Sequence, residues 1–202
     1  MKYLGEKESE SFLEKEGFPI VQRSFSSTKG GVKKAISKIG VPFVMKVSGN
    51  KIVHKNKVKG IELDVTTYSE ALRKFFKLKK IKGSNGVVFQ SKLQGKEFLI
   101  GVLNTPEFGQ VIGFGSGGID TEKQKDVSFR VAPLDRGEIC KMIKETKSSI
   151  ALLKKDGKVI ENIILKISNL VEKYPKIKEL DINPLIVQDG IGTIVDTRIV
   201  FE

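Results

Sequence analysis

The chain has 202 residues, 39% hydrophobic and 30% charged, with 36 Lys and Arg against 24 Asp and Glu, a formal net charge of +12. This composition argues against intrinsic disorder, and no apolar run approaches the roughly 18 residues of a membrane span. A single cysteine, Cys140, allows neither an internal disulfide nor a thiolate zinc cluster. The opening "MKYLGEKESESF" has no apolar stretch of the kind a secretory signal needs, so a cytoplasmic, reducing setting is expected.

Elements follow in order. "SESFLEKEG" (9–17) reads as a Ser-capped helix stopped at Gly17, "FPIVQRSF" (18–25) as a strand and "TKGGVKKAISKIG" (28–40) as a helix ending at Gly40. "VPFVMKVS" (41–48) alternates, which puts Phe43, Met45 and Val47 on one face and Val44 and Lys46 on the other. A basic loop (49–60), a strand (61–65) and a helix (67–80) precede the turn "GSNG" (83–86). Strands are expected at 87–93, 96–104, 108–115 and 126–134, two helices within 136–174, and final strands after that. Mixed alternation and hairpins indicate an α+β fold of two lobes, with a boundary near 86–92.

Four places carry chemistry. In "LDINPL", period-2 spacing sets Asp181 and Asn183 on one face, and Pro184 marks a strand end or bend. A return strand "TIVDTRI" brings Asp196 beside Asn183. Spacing alone leaves two readings: an oxygen-donor site of the kind Mg²⁺ prefers, or an ion pair of Asp196 with Arg198 or a lysine. Lys46 at the end of its strand suits a phosphate, or simply snorkels. His54 is the chain's one histidine; Lys51, Lys55 and Lys57 would keep it neutral and stabilise a phosphoryl group on it, although a lone loop histidine is commonly just solvated. The loop "GFGSGG" (113–118) could offer backbone N–H groups to an anion, with Glu122, Asp126 and Arg130 ordering the polar stretch after it.

The charge invites a nucleic-acid reading. Lysines nevertheless recur along the chain, as in "LRKFFKLKKIK" (72–82) and "LLKKDGKV" (152–159), and Tyr3, Tyr68 and Tyr174 are scattered without a Trp. A small polyanion is therefore expected and nucleic acid is not.

Taken together, "FPIVQ", "VPFVMKVSG", "IVHKNKVKGIEL", "GKEFLIGVLNTPEFGQVIGFGSGGI", "KDVSFRVAPL" and "ELDINPLIV…TIVDTRI" stand in the order of one family. The chain resembles, from about residue 8 to 200, the ATP-grasp β subunit of ADP-forming acyl-CoA (acetyl-CoA) synthetases, relatives of the succinyl-CoA synthetase β chain. The resemblance implies two α+β lobes clasping a nucleotide, residues 1–88 and 89–202. It implies ATP or ADP contacts from Lys46, Lys55, Phe89, Gln90, Ser91, Lys92, Leu93 and Glu97. Mg²⁺ would lie on Asn183 and Asp196, with Asp181 and Arg198 behind them.

His54 and Lys46 would be catalytic, His54 taking a phosphoryl group from a phosphohistidine of an α subunit. That subunit would carry the CoA-binding and phosphohistidine domains in an α2β2 assembly, without membrane attachment. The implied reaction is acyl-CoA + ADP + phosphate ⇌ acid + CoA + ATP. The alternative is a nucleotide-binding regulatory module of an acyltransferase-type system without synthetase activity. The chain departs from the family pattern at Lys57 and Ser91, where acids are usual, and at Lys59, where a glycine is.

Overall fold

A computed structural model of the chain describes residues 1–49, 52, 55, 57–118, 126–150, 152 and 154–202. In chain order the elements are β1 (Lys2–Leu4), α1 (Glu6–Lys15), β2 (Arg23–Ser26), α2 (Lys29–Ile39), β3 (Phe43–Ser48), β4 (Ile61–Val65), α3 (Tyr68–Lys79) and β5 (Gly86–Ser91). They continue with β6 (Lys96–Thr105), β7 (Gly109–Ser116), β8 (Val127–Val131), α4 (Arg136–Lys144), a 3₁₀ turn (Lys147–Ser149), α5 (Lys154–Lys173), β9 (Ile177–Gln188), β10 (Ile191–Ile194) and β11 (Thr197–Phe201). The chain divides into two compact units, Val21–Leu93 and the combination of Met1–Ile20 with Gln94–Glu202.

The unit Val21–Leu93 is a four-stranded antiparallel sheet in the order β2-β5-β3-β4. The alternation of β3 works as its sequence suggests: Phe43, Met45 and Val47 enter one core with Val87 and Phe89 of β5. Helices α2 and α3 cover that face through Val32, Ala35 and Ile39 and through Ala71, Phe75 and Leu78. Their starts are fixed by side-chain caps. Thr28 accepts from the Gly31 N–H at 3.3 Å, and Thr67 accepts from the Glu70 N–H at 3.3 Å while Glu70 reaches back to the Thr66 N–H at 3.2 Å. Thr67→Ala should cost about 0.5–2 kcal/mol by freeing that donor, read as a lowered urea midpoint with an unchanged slope.

The other unit is an antiparallel sheet in the order β1-β11-β9-β6-β7-β8, with β10 also on β9, seven strands among the described residues. One face of it is apolar, with Phe98, Ile100 and Val102 of β6, Ile112 and Phe114 of β7, and Leu180, Ile182 and Leu185 of β9. Leu13 of α1, Ile139 and Met142 of α4, and Ile160, Ile164 and Ile167 of α5 pack on it.

The unit boundaries differ from the 88/89 division expected from sequence. Strand β5 is not the start of a second lobe; it sits between β2 and β3 at the centre of the first sheet. The N-terminal helix belongs with the C-terminal unit because β1 pairs with β11 and the Ser9 hydroxyl accepts from the Ile199 N–H at 3.1 Å. β1 itself was not expected, since three residues carry too little periodicity to signal a strand. The strand read at 18–25 shortens to β2, and Phe18 packs into the core of the unit containing α1.

Candidate functional site

In the unit Val21–Leu93, Lys46 lies on the sheet face opposite α2 and α3 and is only 4% exposed. Its cross-strand neighbours are Val88 on β5 and Ile61 on β4. Val88 in turn lies opposite Phe25, and Gln90, two residues on, opposite Arg23. Gln90, 1% exposed, shares this face.

In the other unit, β9 changes partner at Asn183–Pro184. Before it, Ile182 pairs with Thr197 of β11; after it, Leu185 pairs with Ile194 of β10. The register is the same on both sides, so Asn183 stands opposite Asp196, and the Asn183 N–H donates to the Asp196 carbonyl at 3.1 Å. On the other edge of β9, Ile182 pairs with Ile100 and Leu185 with Phe98, so β9 carries one residue more than β6 between them. This bulge reverses the alternation: Ile182 and Leu185, three apart, both reach the core. Asn183 and Asp196 are thereby left on the face away from the helices. Pro184 thus marks the bend, as its missing N–H suggested, although the strand runs on past it to Gln188.

Asp181 lies on this face directly across from Arg198. The Arg198 guanidinium closes a short ion pair with Glu179. Burial pushes the Asp181 carboxyl above the ordinary carboxylate range; Arg198 pulls it down, while Asp196 and Glu179 push it further up. On the far side of Asp181 the register gives Gly101, Gly113 and Phe129. A Cβ on Gly101 would meet nothing within 4 Å, so the floor beside Asp181 is open.

The glycine loop has a different physical origin from the anion cradle considered from sequence. A Cβ on Gly117 would come within 2.5–2.7 Å of the Phe98 backbone, and one on Gly118, at φ +91°, within 2.3 Å of Glu97 Oε2. The glycines let β7 exit flat against β6. Their N–H groups are spent inside the protein, Gly117 on the Glu97 carbonyl at 2.9 Å and Gly118 on Asn183 Oδ1 at 2.9 Å.

A divalent cation on Asn183 and Asp196 would need other oxygens to complete its shell, and the remaining lone pair of Asn183 Oδ1 to reach it, since that oxygen already accepts from the Gly118 N–H. Asn183 and Asp196 oppose one another across the bulge, and no group of three or more His, Cys, Asp or Glu among the described residues could cage a metal alone. Mg²⁺ takes few protein ligands and keeps water and phosphate oxygens.

Comparison with known proteins bears on this arrangement. The model of the ATP-grasp domain family matches residues 1–201. The β subunit of Pyrococcus furiosus acetate–CoA ligase (ADP-forming) I is 32% identical over 98% of this chain and 91% of its own length. The chain belongs to this ATP-grasp family. Acetate–CoA ligase (ADP-forming) II of Archaeoglobus fulgidus is 38% identical over 98% of this chain, which spans 30% of that longer protein. Acetyl-coenzyme A synthetase 1 of Ca. Korarchaeum cryptofilum, solved with coenzyme A and Ca-AMPCP, superposes with a TM-score of 0.91 at 28% identity, covering 100% of this chain and 94% of that one. A second structure of that synthetase, with Mg-AMPPCP and its phosphohistidine segment pointing towards the nucleotide binding site, gives 0.83 at 28% identity over 100% and 93%. The α+β ATP-grasp fold implied by the sequence is thus the fold found.

The remaining positions implied for the nucleotide are spread over several elements. Phe89 is fully buried beside Phe43, ring centroids 5.9 Å apart, so its side chain serves the core. At the end of the strand the Ser91 N–H donates to the Gln22 carbonyl at 3.0 Å; past it, Lys92 pairs with Asp64 and Leu93 is half-buried. Glu97 is exposed at the start of β6, against Gly118. The Lys55 carbonyl accepts from the Gly60 N–H at 2.8 Å. His54 and Glu122 lie outside the described residues. No helix among the described residues is long and apolar enough to cross a membrane.

Asp126 does more than the sequence suggested. Its carboxylate accepts from the Lys147 N–H at 2.7 Å, the Ser148 N–H at 2.8 Å and the Ser116 hydroxyl at 3.0 Å, which joins the end of β7 to the 3₁₀ turn. Arg130 bonds Glu138 at 3.2 Å and pairs with Glu145, both on or beside α4. Burial raises the Asp126 carboxyl, but the donors outweigh it and hold it below the ordinary range. A depressed carboxyl stabilises the fold above its unfolded pKa of about 3.9 and loses that stabilisation as pH falls through its folded value. Asp126→Asn should therefore melt earlier at pH 7, by about 1–2 kcal/mol from the weakened charge-assisted bonds. The gap to the parent should narrow in thermal melts near pH 3.5.

Proposed function

We propose that this chain is the nucleotide-binding β component of an ADP-forming acyl-CoA ligase, transferring phosphoryl between a phosphohistidine and ADP. The overall reaction is acyl-CoA + ADP + phosphate ⇌ acid + CoA + ATP. The observation that carries the proposal is the near end-to-end match to a ligase β subunit, 91% of that subunit's length. The oxygen pair at Asn183 and Asp196 supports it.

Within this reading Lys46 binds nucleotide phosphate oxygens and offsets their charge during transfer. Asn183 and Asp196 hold Mg²⁺, which when bound supplies charge neutralisation across the phosphates. Asp181 stands behind that pair, with Arg198 across the sheet from it. Ser91–Leu93 flank the adenine through backbone groups, and Phe89 contributes by packing. His54 is the residue proposed to accept the phosphoryl group, relaying it from an α subunit that binds CoA and the acyl group in an α2β2 assembly. The protein would act in the cytoplasm.

The test has two arms. Thermal-shift titration with ADP and ATP, with and without Mg²⁺, should raise the melting temperature, because a ligand bound only to the native state must stabilise it. Mixed with its α subunit, the chain should make ATP from acetyl-CoA, ADP and phosphate. Nucleotide binding without any ATP synthesis would leave the regulatory-module alternative, and no shift at saturating nucleotide would defeat both.

A further inference from the structure

The net charge is not spread over the molecule. Residues 21–93 hold 17 Lys and Arg against three acids, Glu62, Asp64 and Glu70, while the rest of the chain holds 19 against 21. One unit is therefore +14 and the other −2. Five of the 17 cations, Lys46, Lys51, Lys55, Lys57 and Lys59, belong to the proposed phosphate site or its loop, which leaves the unit strongly basic elsewhere.

Much of that remainder sits on the helical layer. Lys33, Lys34 and Lys38 are exposed along α2 and line a shallow depression with Gly30 and Ser37. These five positions follow i, i+3, i+4, i+7, i+8, so they form one stripe of the helix. The stripe is about 12 Å long at 1.5 Å per residue. Arg73, Lys80 and Lys82 are exposed on and just after α3, beside Tyr68 and Phe76, 44% and 48% exposed. The acids of the layer are already engaged: Glu70 holds Lys74, and Glu62 holds Lys74 and Lys77. Among the described residues no carboxylate pairs with Lys33, Lys34 or Lys38.

We infer that the α2–α3 face binds the phosphate backbone of a nucleic acid without sequence preference, separately from the nucleotide site. The composition of the face selects that partner. Protein–protein interfaces are depleted in lysine. Nucleic-acid interfaces are wet and strongly positive, and lysines that neutralise phosphates release condensed counterions. The three lysines of the stripe can neutralise about three phosphates of a strand. Segregation of charge between the two units, which the running distribution of lysines does not display, is the ground for proposing a nucleic-acid partner against the expectation from sequence.

The test is fluorescence anisotropy of a labelled 20-nucleotide RNA with the full chain between 50 and 200 mM salt. Parent protein should bind with log K falling linearly in log salt. In K33Q/K34Q/K38Q the slope should become shallower by about 2, at roughly 0.7 per lost single-strand contact. The variant's melting temperature and its shift with Mg²⁺–ADP should be unchanged. Absence of RNA binding at 50 mM salt would overturn the proposal, as would an unchanged slope in the variant. Displacement of RNA by Mg²⁺–ATP would place it in the nucleotide site instead. Equal binding of polyglutamate, or of anionic vesicles with RNA indifferent to the substitutions, would assign the face to an acidic protein or a membrane and reject nucleic acid.

Discussion

Lys46→Met should lower affinity for ADP roughly 10- to 100-fold and slow phosphoryl transfer further, while leaving the fold intact. The methionine keeps the apolar stem between Val88 and Ile61 and removes only the ammonium. A charge-assisted bond contributes about 1.5–3 kcal/mol, which at 1.4 kcal/mol per decade is roughly 10- to 100-fold in binding. Phosphoryl transfer should suffer more, because the charge on the phosphate oxygens is redistributed on the way to the transition state. Calorimetry with ADP reads the affinity, and a melt without nucleotide controls for stability. An affinity within twofold of the parent, in a folded variant, would remove Lys46 from the site.

Asp196→Asn should abolish most of the Mg²⁺ dependence of nucleotide binding and leave metal-free binding close to the parent. The substitution keeps the backbone bond from the Asn183 N–H, since that uses the Asp196 carbonyl. It removes one negative charge from a pair of oxygen donors that would otherwise hold a dication. Perturbing groups behind a metal costs about 10–100-fold in metal affinity, and a direct ligand should cost no less. The measurement is the melting temperature with ADP across a Mg²⁺ series. Equal Mg²⁺ responses in parent and variant would return Asp196 to the alternative left open by spacing, an ion pair with Arg198 or a lysine. The guanidinium of Arg198 makes its short ion pair with Glu179, on the strand opposite.

Much of the fold and the site is legible along the chain. The helices 28–40 and 67–80 are bounded by Thr caps and by Gly40, and both signals act within a turn of the residues they mark. The face of Asp181 and Asn183 comes from a period of two. Their meeting with Asp196 needs only a return strand 13 residues on. What the alternation cannot supply is the bulge at Asn183–Pro184, because the extra residue is defined by β6, some 80 residues earlier. The glycines of 113–118 are visible in the sequence without their purpose, which is contact with β6 and β8, since no local pattern encodes a distant backbone.

The sequence by itself determined the kinds of element, their order and the oxygen donors of the candidate site, because periodicity, caps and turn chemistry act over a few residues. Only the tertiary structure decided that β1 and α1 belong with the C-terminal sheet, that β5 is a central strand, and that +14 charges gather in one unit. Those outcomes depend on a chain that leaves its unit at residue 20 and re-enters at 94. Pairings across such distances are set by burial and sheet register over the whole fold, which residue order alone does not express.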